Sequence, residues 1–586
     1  MKHLLDNILR VSIHSRRVRR VVLFVGVGAT AGLLAAGYSF VLDFLTRFAQ
    51  GGLLGLEEHS HQALATLKRP WVLPVMTTFV GALTGFLISR FTPAAATAGT
   101  DGTDAMIRAF HQGEGRIRPR AAVLRTATSI LTLASGGSAG KEGPVAFMGA
   151  GLGSWLAGKL KLSDRDRRIV LLAGAAGGLG AIFRSPLGGA MTAVEVLYSE
   201  DFEGEALLPS IISSVTAYMV CTLFFGAAPL LTIPDLRPAT IREVPFYLLL
   251  AVACAVAAWL YVNGFFFIKY RIFKRLSGKW GLPLTTGAGG LAMGIVGMCY
   301  PGLIGSSHSS LELVVLGQVP ALAILILLLG KILATSVTIG SGFSGGMFAP
   351  GLFVGAMTGG LVGKLCHMWR PEFSASNGSF VLVGMSAFFA CAAKAPIGPL
   401  IMVCEISQGY VLLAPLMLCT AVALTLSGRF CLYENQLRGK VNSPAHRGEA
   451  AVAALRQLKV SDVFTRGRMA VLEEGTTLGA LSDIIAGTDA KTFPVRSSEG
   501  RLTGIVTIGD VRRVIFENAL YPLVVVRDLA RPAYLLRPEQ DLHQALMAFV
   551  EAQADQLPVV ETGDPDRIAG SLTMHALLAA HRDEHS

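Results

Sequence analysis

The chain has 586 residues, of which 52% are hydrophobic and only 16% are charged. Because an average soluble protein is about a quarter charged, this composition excludes an ordinary soluble protein, a disordered chain and a collagen-like chain. Residues 1–450 hold 37 Lys and Arg against 22 Asp and Glu, whereas residues 451–586 hold 14 against 18. This contrast predicts a polytopic membrane domain followed by a soluble domain. We attribute the net charge of +11 to basic residues on the cytoplasmic side of a membrane and expect no nucleic-acid partner.

Cysteine and histidine give no sign of a metal site or of catalysis. The eight cysteines lie mostly in apolar runs and form no CxxC pair, which is typical of small buried residues. The twelve histidines show no HExxH motif and no metal-ligand spacing. Since no nucleophile-and-base pattern stands out either, we expect no bound metal and no enzyme activity.

The N-terminal segment is basic and precedes a long apolar run. Four arginines lie between residues 16 and 20, directly before the apolar residues 21–48. Residues 1–20 are therefore predicted to be a cytoplasmic N-terminus, followed by a retained first membrane helix. Many later apolar stretches are shorter than the about 20 residues that span a bilayer, and glycines interrupt them. Residues 21–436 are thus predicted to form an all-α bundle of short, broken helices, as in transport proteins.

The predicted membrane domain contains an internal repeat. The segment 135–144 (SGGSAGKEGP) resembles 341–350 (SGFSGGMFAP), and 183–195 (FRSPLGGAMTAVE) resembles 393–405 (AKAPIGPLIMVCE). Repeats of this kind place a substrate site near the midplane, where half-helix ends from both halves meet. The predicted halves span about residues 21–235 and 240–436.

The polar residues 437–456 predict a linker to a soluble α/β domain. Two similar units follow it, 457–520 and 524–586. The pattern FPV then GIVTIGD in the first unit is echoed by LPVV then GSLTMHA in the second. Each unit is predicted to run helix, strand, strand, helix.

The motif GKEGP at 140–144 opens an apolar, helix-like segment. Gly and Pro at a helix start leave backbone N–H groups unpaired, and with the helix dipole these groups form an anion site of roughly half a positive charge. Such moderate binding suits permeation better than a full cation does. The equivalent helix start GMFAP at 346–350 is predicted to point at the same centre. Glu142 can compete with the permeant anion there; the alternative is a simple helix-capping carboxylate.

Together these motifs resemble the CLC chloride channels and chloride/proton antiporters. The resemblance runs from about residue 20 to 436 and includes SPLGGAMTAVEV, APIGPLIMVCEI and Tyr433 after the last apolar run. It implies a homodimer with one anion pathway per subunit, chloride as substrate, no required cofactor and Glu142 as the gate. It also implies anion ligands at the backbone N–H groups of Met347 and Phe348 and at the Tyr433 hydroxyl, although Tyr433 alone would suggest an interfacial tyrosine. The residues assigned to anion binding are Asp101, Gly102, Gly140, Lys141, Gly143, Met347, Phe348 and Tyr433.

The first filter motif departs from the family. There the family has a GSGIP-like sequence with a serine facing the anion, whereas the expected spacing from Glu142 places Asp101 at the serine position. An ionised aspartate about 4 Å from chloride would cost about 4 kcal/mol at an effective dielectric of 20. Three alternatives follow. Asp101 is protonated and acts as a proton-sensitive gate, or its side chain is turned away from the anion, for example as a helix cap. In the third, the alignment is displaced by one residue and Thr100 supplies the hydroxyl.

Val196 is the second departure. Antiporters of the family usually carry a proton-transferring glutamate here, directly after a glutamate that matches Glu195. Because valine cannot carry a proton, a channel gated by Glu142 is the favoured function. The alternative is a chloride/proton antiporter in which protons take another route, and a third hypothesis is a receptor-like membrane protein with a closed pore.

The C-terminal units resemble a tandem pair of CBS domains. The resemblance assigns Thr507 and Asp510 to contacts with a nucleotide ribose, whereas Ala576 replaces the acid in the second unit. At most one adenine-nucleotide site is expected, with pH and nucleotide regulation as one interpretation and a dimerising block without a ligand as the other. The compact loops predict a multi-pass protein of a bacterial inner membrane with both termini cytoplasmic.

Overall fold

The computed structural model describes residues 16–55, 67–92, 101–231, 233, 236–305, 307–371, 376–446, 452, 455–488 and 490–583. Thr100, considered above as a hydroxyl donor, lies outside these ranges. The chain divides into two compact units at Ala445 and His446, and each unit is described by itself.

The first unit is built from helices and matches the predicted all-α membrane domain. They are α1 (Arg16–Thr46), α2 (Val72–Phe91), α3 (Gly102–His111), α4 (Pro119–Ala134), α5 (Glu142–Lys159), α6 (Asp164–Phe183), α7 (Pro186–Glu195), α8 (Gly204–Phe225), α9 (Val244–Phe267), α10 (Lys274–Cys299), α11 (His308–Val315), α12 (Ala321–Gly340), α13 (Phe348–Trp369), α14 (Asn377–Ala393), α15 (Ile397–Ser407) and α16 (Leu413–Leu426).

These helices differ widely in length, as the interrupted apolar runs predict. Within the described residues, 6 helical stretches are long and apolar enough to cross a membrane, among them Val72–Phe91 and Ala321–Gly340. Others, such as α7 with 10 residues and α15 with 11, are too short to span a bilayer alone. The helix order from α4 to α8 recurs from α12 to α16, which gives the internal repeat a structural counterpart.

Two short helices of the repeat are joined by reciprocal caps. The Glu195 carboxylate at the end of α7 accepts hydrogen bonds from the backbone N–H groups of residues 397–398, at 2.9 and 2.7 Å. The Glu405 carboxylate in α15 accepts hydrogen bonds from the N–H groups of residues 187–188, at 3.2 and 2.9 Å. Each carboxylate satisfies N–H groups that a helix start leaves without an intrahelical partner. Glu195 therefore caps the start of α15.

Helices α5 and α6 touch backbone to backbone. A Cβ atom on Gly149 would lie 2.1 Å from the Gly174 carbonyl oxygen, and a Cβ on Gly174 would lie 2.1 Å from that of Gly149. Small residues allow this approach, which is a common way for membrane helices to associate. The contact fixes the position of α5, whose first residue is Glu142.

The predicted linker is partly packed on the first unit. Leu437 donates its backbone N–H to the Leu197 carbonyl at 3.2 Å and accepts the N–H of Ser199 at 2.8 Å. The compact unit consequently extends to Ala445 rather than ending at residue 436. Part of the remaining linker, residues 447–451, 453 and 454, lies outside the described residues.

The second unit has the predicted α/β character. Its elements are β1 (Thr465–Arg466), β2 (Leu472–Glu473), α17 (Leu478–Ala486), β3 (Thr492–Arg496), β4 (Leu502–Thr507), α18 (Ile508–Val511), α19 (Val526–Leu529), β5 (Arg531–Pro532), α20 (Leu542–Ala552), β6 (Gln556–Glu561), β7 (Asp564–Thr573) and α21 (Met574–Asp583). The strands form one sheet of order β1-β7-β6 and another of order β2-β3-β4-β5. Each half contributes an antiparallel hairpin, β3 with β4 and β6 with β7.

Candidate anion site

The first turns of α3, α5 and α13 meet inside the first unit. Gly140 and Gly346 exchange backbone hydrogen bonds, with N···O distances of 2.7 and 2.8 Å, so the two repeated motifs are paired directly. Asp101 forms a parallel bridge with Gly345, which adds the start of α3. Three helix N-termini, each with a positive dipole end and with backbone N–H groups that lack an intrahelical partner, thus face a shared buried region.

Glycine makes this convergence feasible. A Cβ on Gly102 would lie 2.3 Å from the Gly143 carbonyl oxygen, and one on Gly143 would lie 2.9 Å from the Cα of Gly346. Any side chain at these positions would force the three helix starts apart. Gly102 and Gly143, both predicted at the anion site, therefore allow the backbones of the helix starts to approach each other closely.

Glu142 is the first residue of α5 and is buried, with 3% of its surface exposed. Its carboxylate faces the backbone N–H of Ala349 in the first turn of α13. Its Oε2 atom has no hydrogen-bond partner among the described residues. Lys141 occupies the N-cap position of the same helix and makes no side-chain capping bond. A buried carboxylate with an unpaired oxygen at two helix starts has the chemistry of a group that can be exchanged for another anion.

Asp101 lies at the same centre and is held from two sides. Its Oδ1 atom accepts the N–H groups of Thr103 and Asp104 at 2.6 and 3.4 Å, which makes it the N-cap of α3. Its Oδ2 atom accepts the N–H of Met347 at 2.9 Å. The helix-cap alternative is therefore observed, and a role of Asp101 in the anion pathway stays a prediction.

Aromatic residues close the centre on the other sides. Tyr433 has 2% of its surface exposed, and its hydroxyl lies near Thr103 without a hydrogen bond of good geometry in the described part of the chain. The Tyr261 hydroxyl donates to the Met347 carbonyl at 3.2 Å. Phe348 is buried against aromatic rings of neighbouring helices. Met347 and Phe348 thus lie at the helix start that Glu142 faces, whereas Tyr433 lies near Asp101 and Tyr261.

Arg125 is a buried residue of this region that the sequence analysis did not single out. Its Nη1 donates to the Asp101 backbone carbonyl at 3.1 Å, and its guanidinium lies 5.3 Å from the centre of the Phe147 ring. The arginine thus anchors the start of α3 and brings a positive charge near the site. A charged residue inside the apolar stretch 121–135 is the signal that could have identified it.

The surroundings of Val196 are polar, although its own side chain is buried and apolar. The ring of His111 hydrogen-bonds to the Leu197 carbonyl at 3.1 Å and to Ser443 Oγ at 2.8 Å. Tyr198 donates its hydroxyl to Glu203 at 3.1 Å. Titratable side chains therefore lie beside the position where the family's antiporters usually place a glutamate.

In the second unit, Thr507 and Asp510 are brought together as predicted. The Thr507 hydroxyl donates to Asp510 Oδ2 at 2.7 Å, and Arg531 Nε donates to Asp510 Oδ1 at 2.7 Å. Both carboxylate oxygens therefore have partners within the chain, and a ribose hydroxyl would compete with Thr507 or Arg531 for them. The nucleotide contacts assigned to these two residues stay a prediction.

Fold and helix starts together define a multi-pass membrane protein in which the N-termini of two repeated helices are paired at a buried centre. The family model described as voltage gated chloride channel matches residues 80–428, and the CBS domain model matches residues 460–517 and 526–583. The chain belongs to the voltage gated chloride channel family and carries a C-terminal pair of CBS domains, which confirms both predicted resemblances.

Curated relatives and solved structures agree with this assignment. The H(+)/Cl(−) exchange transporter ClcA of Yersinia pseudotuberculosis is 26% identical over 418 residues, covering 70% of this chain and 84% of the relative. The protein of the same name from Vibrio vulnificus is 29% identical over 422 residues, covering 70% and 87%. A slow cyanobacterial Cl−/H+ antiporter matches with a TM-score of 0.61 at 21% identity, covering 71% of this chain and 95% of its own. A eukaryotic CLC transporter matches with a TM-score of 0.59 at 16% identity, covering 95% and 98%. These two structures share the fold.

Proposed function

We propose that the chain exchanges chloride for protons across the membrane, with Glu142 as the group that gates chloride. The single observation that carries this proposal is the buried Glu142 carboxylate. It lies at the paired starts of α5 and α13, and one of its oxygens has no partner in the part of the chain that the structure describes. When the Glu142 carboxylate is ionised, it competes with chloride for the two helix starts. When it is protonated, it loses the negative charge that the helix dipoles attract. Proton binding and chloride binding thereby become linked at one place.

Exchange replaces the channel function that Val196 favoured in the sequence analysis. Curated relatives that align over most of their length are named exchange transporters, which favours the antiporter alternative. Val196 then requires that protons reach the centre by another route. The polar residues beside Val196 support a proposal for this route.

We infer that protons enter through His111 and the Tyr198–Glu203 pair. His111 contacts the backbone directly after Val196, and its ring hydrogen-bonds to Ser443. Tyr198 packs edge-on against the His111 ring and hydrogen-bonds to Glu203, so an imidazole, a phenol and a carboxylate adjoin one another. One nitrogen of an imidazole ring can accept a proton while the other donates one, which suits His111 to the role that valine cannot perform.

The experiment that tests exchange uses the purified chain in chloride-loaded liposomes. With an outward chloride gradient and no ionophore, we expect external pH to rise as protons are drawn inward with no imposed proton gradient. A proton uncoupler should abolish the pH change. Chloride loss that requires valinomycin in potassium salts, with no pH change, would instead establish passive conductance.

His111→Gln is expected to slow proton movement while chloride movement through the site remains. Glutamine can keep hydrogen bonds to the Leu197 carbonyl and Ser443 but does not titrate near neutral pH. Loss of a proton-transfer group costs about 10²–10⁴-fold in enzymes, so a fall of at least about tenfold in the proton rate is expected. Equal proton rates for the variant and wild type would place the proton route elsewhere.

We also propose that the protein is a homodimer in a bacterial inner membrane, with both termini cytoplasmic. The family resemblance supports the dimer, and the bacterial origin of the ClcA relatives supports the membrane. The basic residues before the first apolar run support the orientation.

A further inference from the structure

A second carboxylate, that of Asp101, accepts a hydrogen bond from a backbone N–H group that the family resemblance assigns to the anion. The Met347 N–H, one of two N–H groups expected to bind the permeant anion, donates to Asp101 Oδ2 at 2.9 Å. The other Asp101 oxygen takes the N–H groups of Thr103 and Asp104. The carboxylate thus bridges the N-termini of α3 and α13, and chloride bound to Met347 would need the same hydrogen.

We propose that Asp101 is a tethered competitor for chloride at the central anion site. Its ionised carboxylate holds the Met347 N–H, and chloride binds there when Asp101 is protonated or rotated away. This inference deepens the proposed function, because it assigns the control of anion affinity at the same site. The inference rests on the proposed function in one respect, namely that chloride binds at this centre.

The geometry distinguishes Asp101 from Glu142. Both carboxylates are buried, with 6% and 3% of the residue surface exposed. Both Asp101 oxygens are hydrogen-bonded to backbone N–H groups, whereas Glu142 Oε2 has no partner among the described residues. Asp101 is therefore held more firmly. Its short side chain extends from the α3 N-cap, so it can leave Met347 only by rotation of its own carboxyl group.

Charged and titratable groups from each neighbouring element determine when Asp101 ionises. Arg125 from α4 donates to the Asp101 backbone carbonyl and favours the charged carboxylate. Asp104 on α3 and Glu142 on α5 are carboxylates close enough to oppose ionisation of Asp101.

The remaining groups that face Asp101 are uncharged. Two phenols lie near it, Tyr261 from α9 and Tyr433 from the segment after α16. The α13 start presents Met347, Phe348 and Ala349, none of which titrates.

This arrangement gives the two carboxylates different roles. Protonation of Glu142 removes one competitor, facing the N–H of Ala349, and protonation of Asp101 removes another from Met347. Because the carboxylates repel each other, ionisation of one favours protonation of the other. Chloride affinity should then depend on protons even when Glu142 no longer titrates.

Calorimetric titration of chloride into the purified full chain, in a Glu142→Gln background, tests the proposal. With Asp101 present, chloride should bind more weakly as pH rises from acid to neutral. Asp101→Ser keeps an N-cap side chain but cannot extend as far toward Met347, so we expect about tenfold tighter binding at neutral pH and no dependence on pH. Asp101→Asn keeps the size without the charge and should also bind independently of pH.

Asp104→Asn is the matched control, because it removes a buried carboxylate of α3 that is bound by Asn435 rather than by Met347. It should keep a dependence on pH, with the transition moved towards acid because one repelling carboxylate is removed. Unchanged affinity and pH dependence in folded Asp101→Ser and Asp101→Asn would overturn the proposal. Binding at equilibrium does not require coupled transport, so a protein that fails to move protons in liposomes would leave this result standing.

Discussion

Glu142→Gln is expected to keep chloride moving and to stop coupled proton movement. The amide has the size of the carboxylate but carries neither its charge nor its proton. It therefore cannot hold the start of α13 against chloride as an anion, and it cannot carry a proton through the site. In liposomes with simultaneous chloride and pH recording, we expect the proton rate to fall at least about 100-fold, within the range for loss of a proton-transfer group, while chloride efflux persists once charge is compensated.

Glu195→Gln is the control for this prediction. Glu195 is also a buried glutamate of the first unit, but its carboxylate is bound to the start of α15 and not to the anion centre. Its amide variant should retain coupling. Proton uptake at the wild-type rate in Glu142→Gln would remove Glu142 as the gate.

Gly149→Leu is expected to abolish folded protein. The Cβ atom alone would lie 2.1 Å from the Gly174 carbonyl oxygen, and the opposing atom is backbone, which cannot move aside locally. Overpacking in a dense core costs about 1–3 kcal/mol where neighbours can adjust; here α5 and α6 must separate along their whole contact. We expect the monodisperse peak in detergent size-exclusion chromatography to be lost.

Gly158→Leu lies on the same helix and is the matched control. A Cβ atom at Gly158 meets nothing within 4 Å, so the leucine can extend without a clash. It should give a normal elution profile and transport rate. Equal yields of the two leucine variants would show that α5 and α6 do not pack as described.

Much of the fold follows from local sequence. Gly and Pro at 140–144 and 346–350 identify two helix starts, and the repeat makes them equivalent. The sequence therefore predicts their convergence, which the Gly140–Gly346 pairing confirms. The alternation of apolar runs and glycines indicates short helices, because many runs are shorter than a bilayer span and glycines interrupt them. The two similar C-terminal units follow from repeated strand and turn patterns, and their assignment as CBS domains follows from the family resemblance.

Contacts between distant segments could not be predicted in this way. The bond from Met347 to Asp101 joins residues 246 positions apart, so the sequence left a helix cap and a pathway residue as alternatives. Lys331 is fully buried in α12, where its ammonium group donates to the Gly305 carbonyl at 2.7 Å. An apolar run with one lysine signals burial but does not identify that partner.

The reversal potential of the wild-type chain in a planar bilayer tests coupled exchange most directly. The chloride gradient is held constant while the pH difference across the bilayer is varied. If chloride and protons are exchanged in one cycle despite Val196, the reversal potential moves away from the chloride equilibrium potential as the pH difference increases. A reversal potential that stays at the chloride value at every pH difference would contradict exchange and identify a passive chloride pathway.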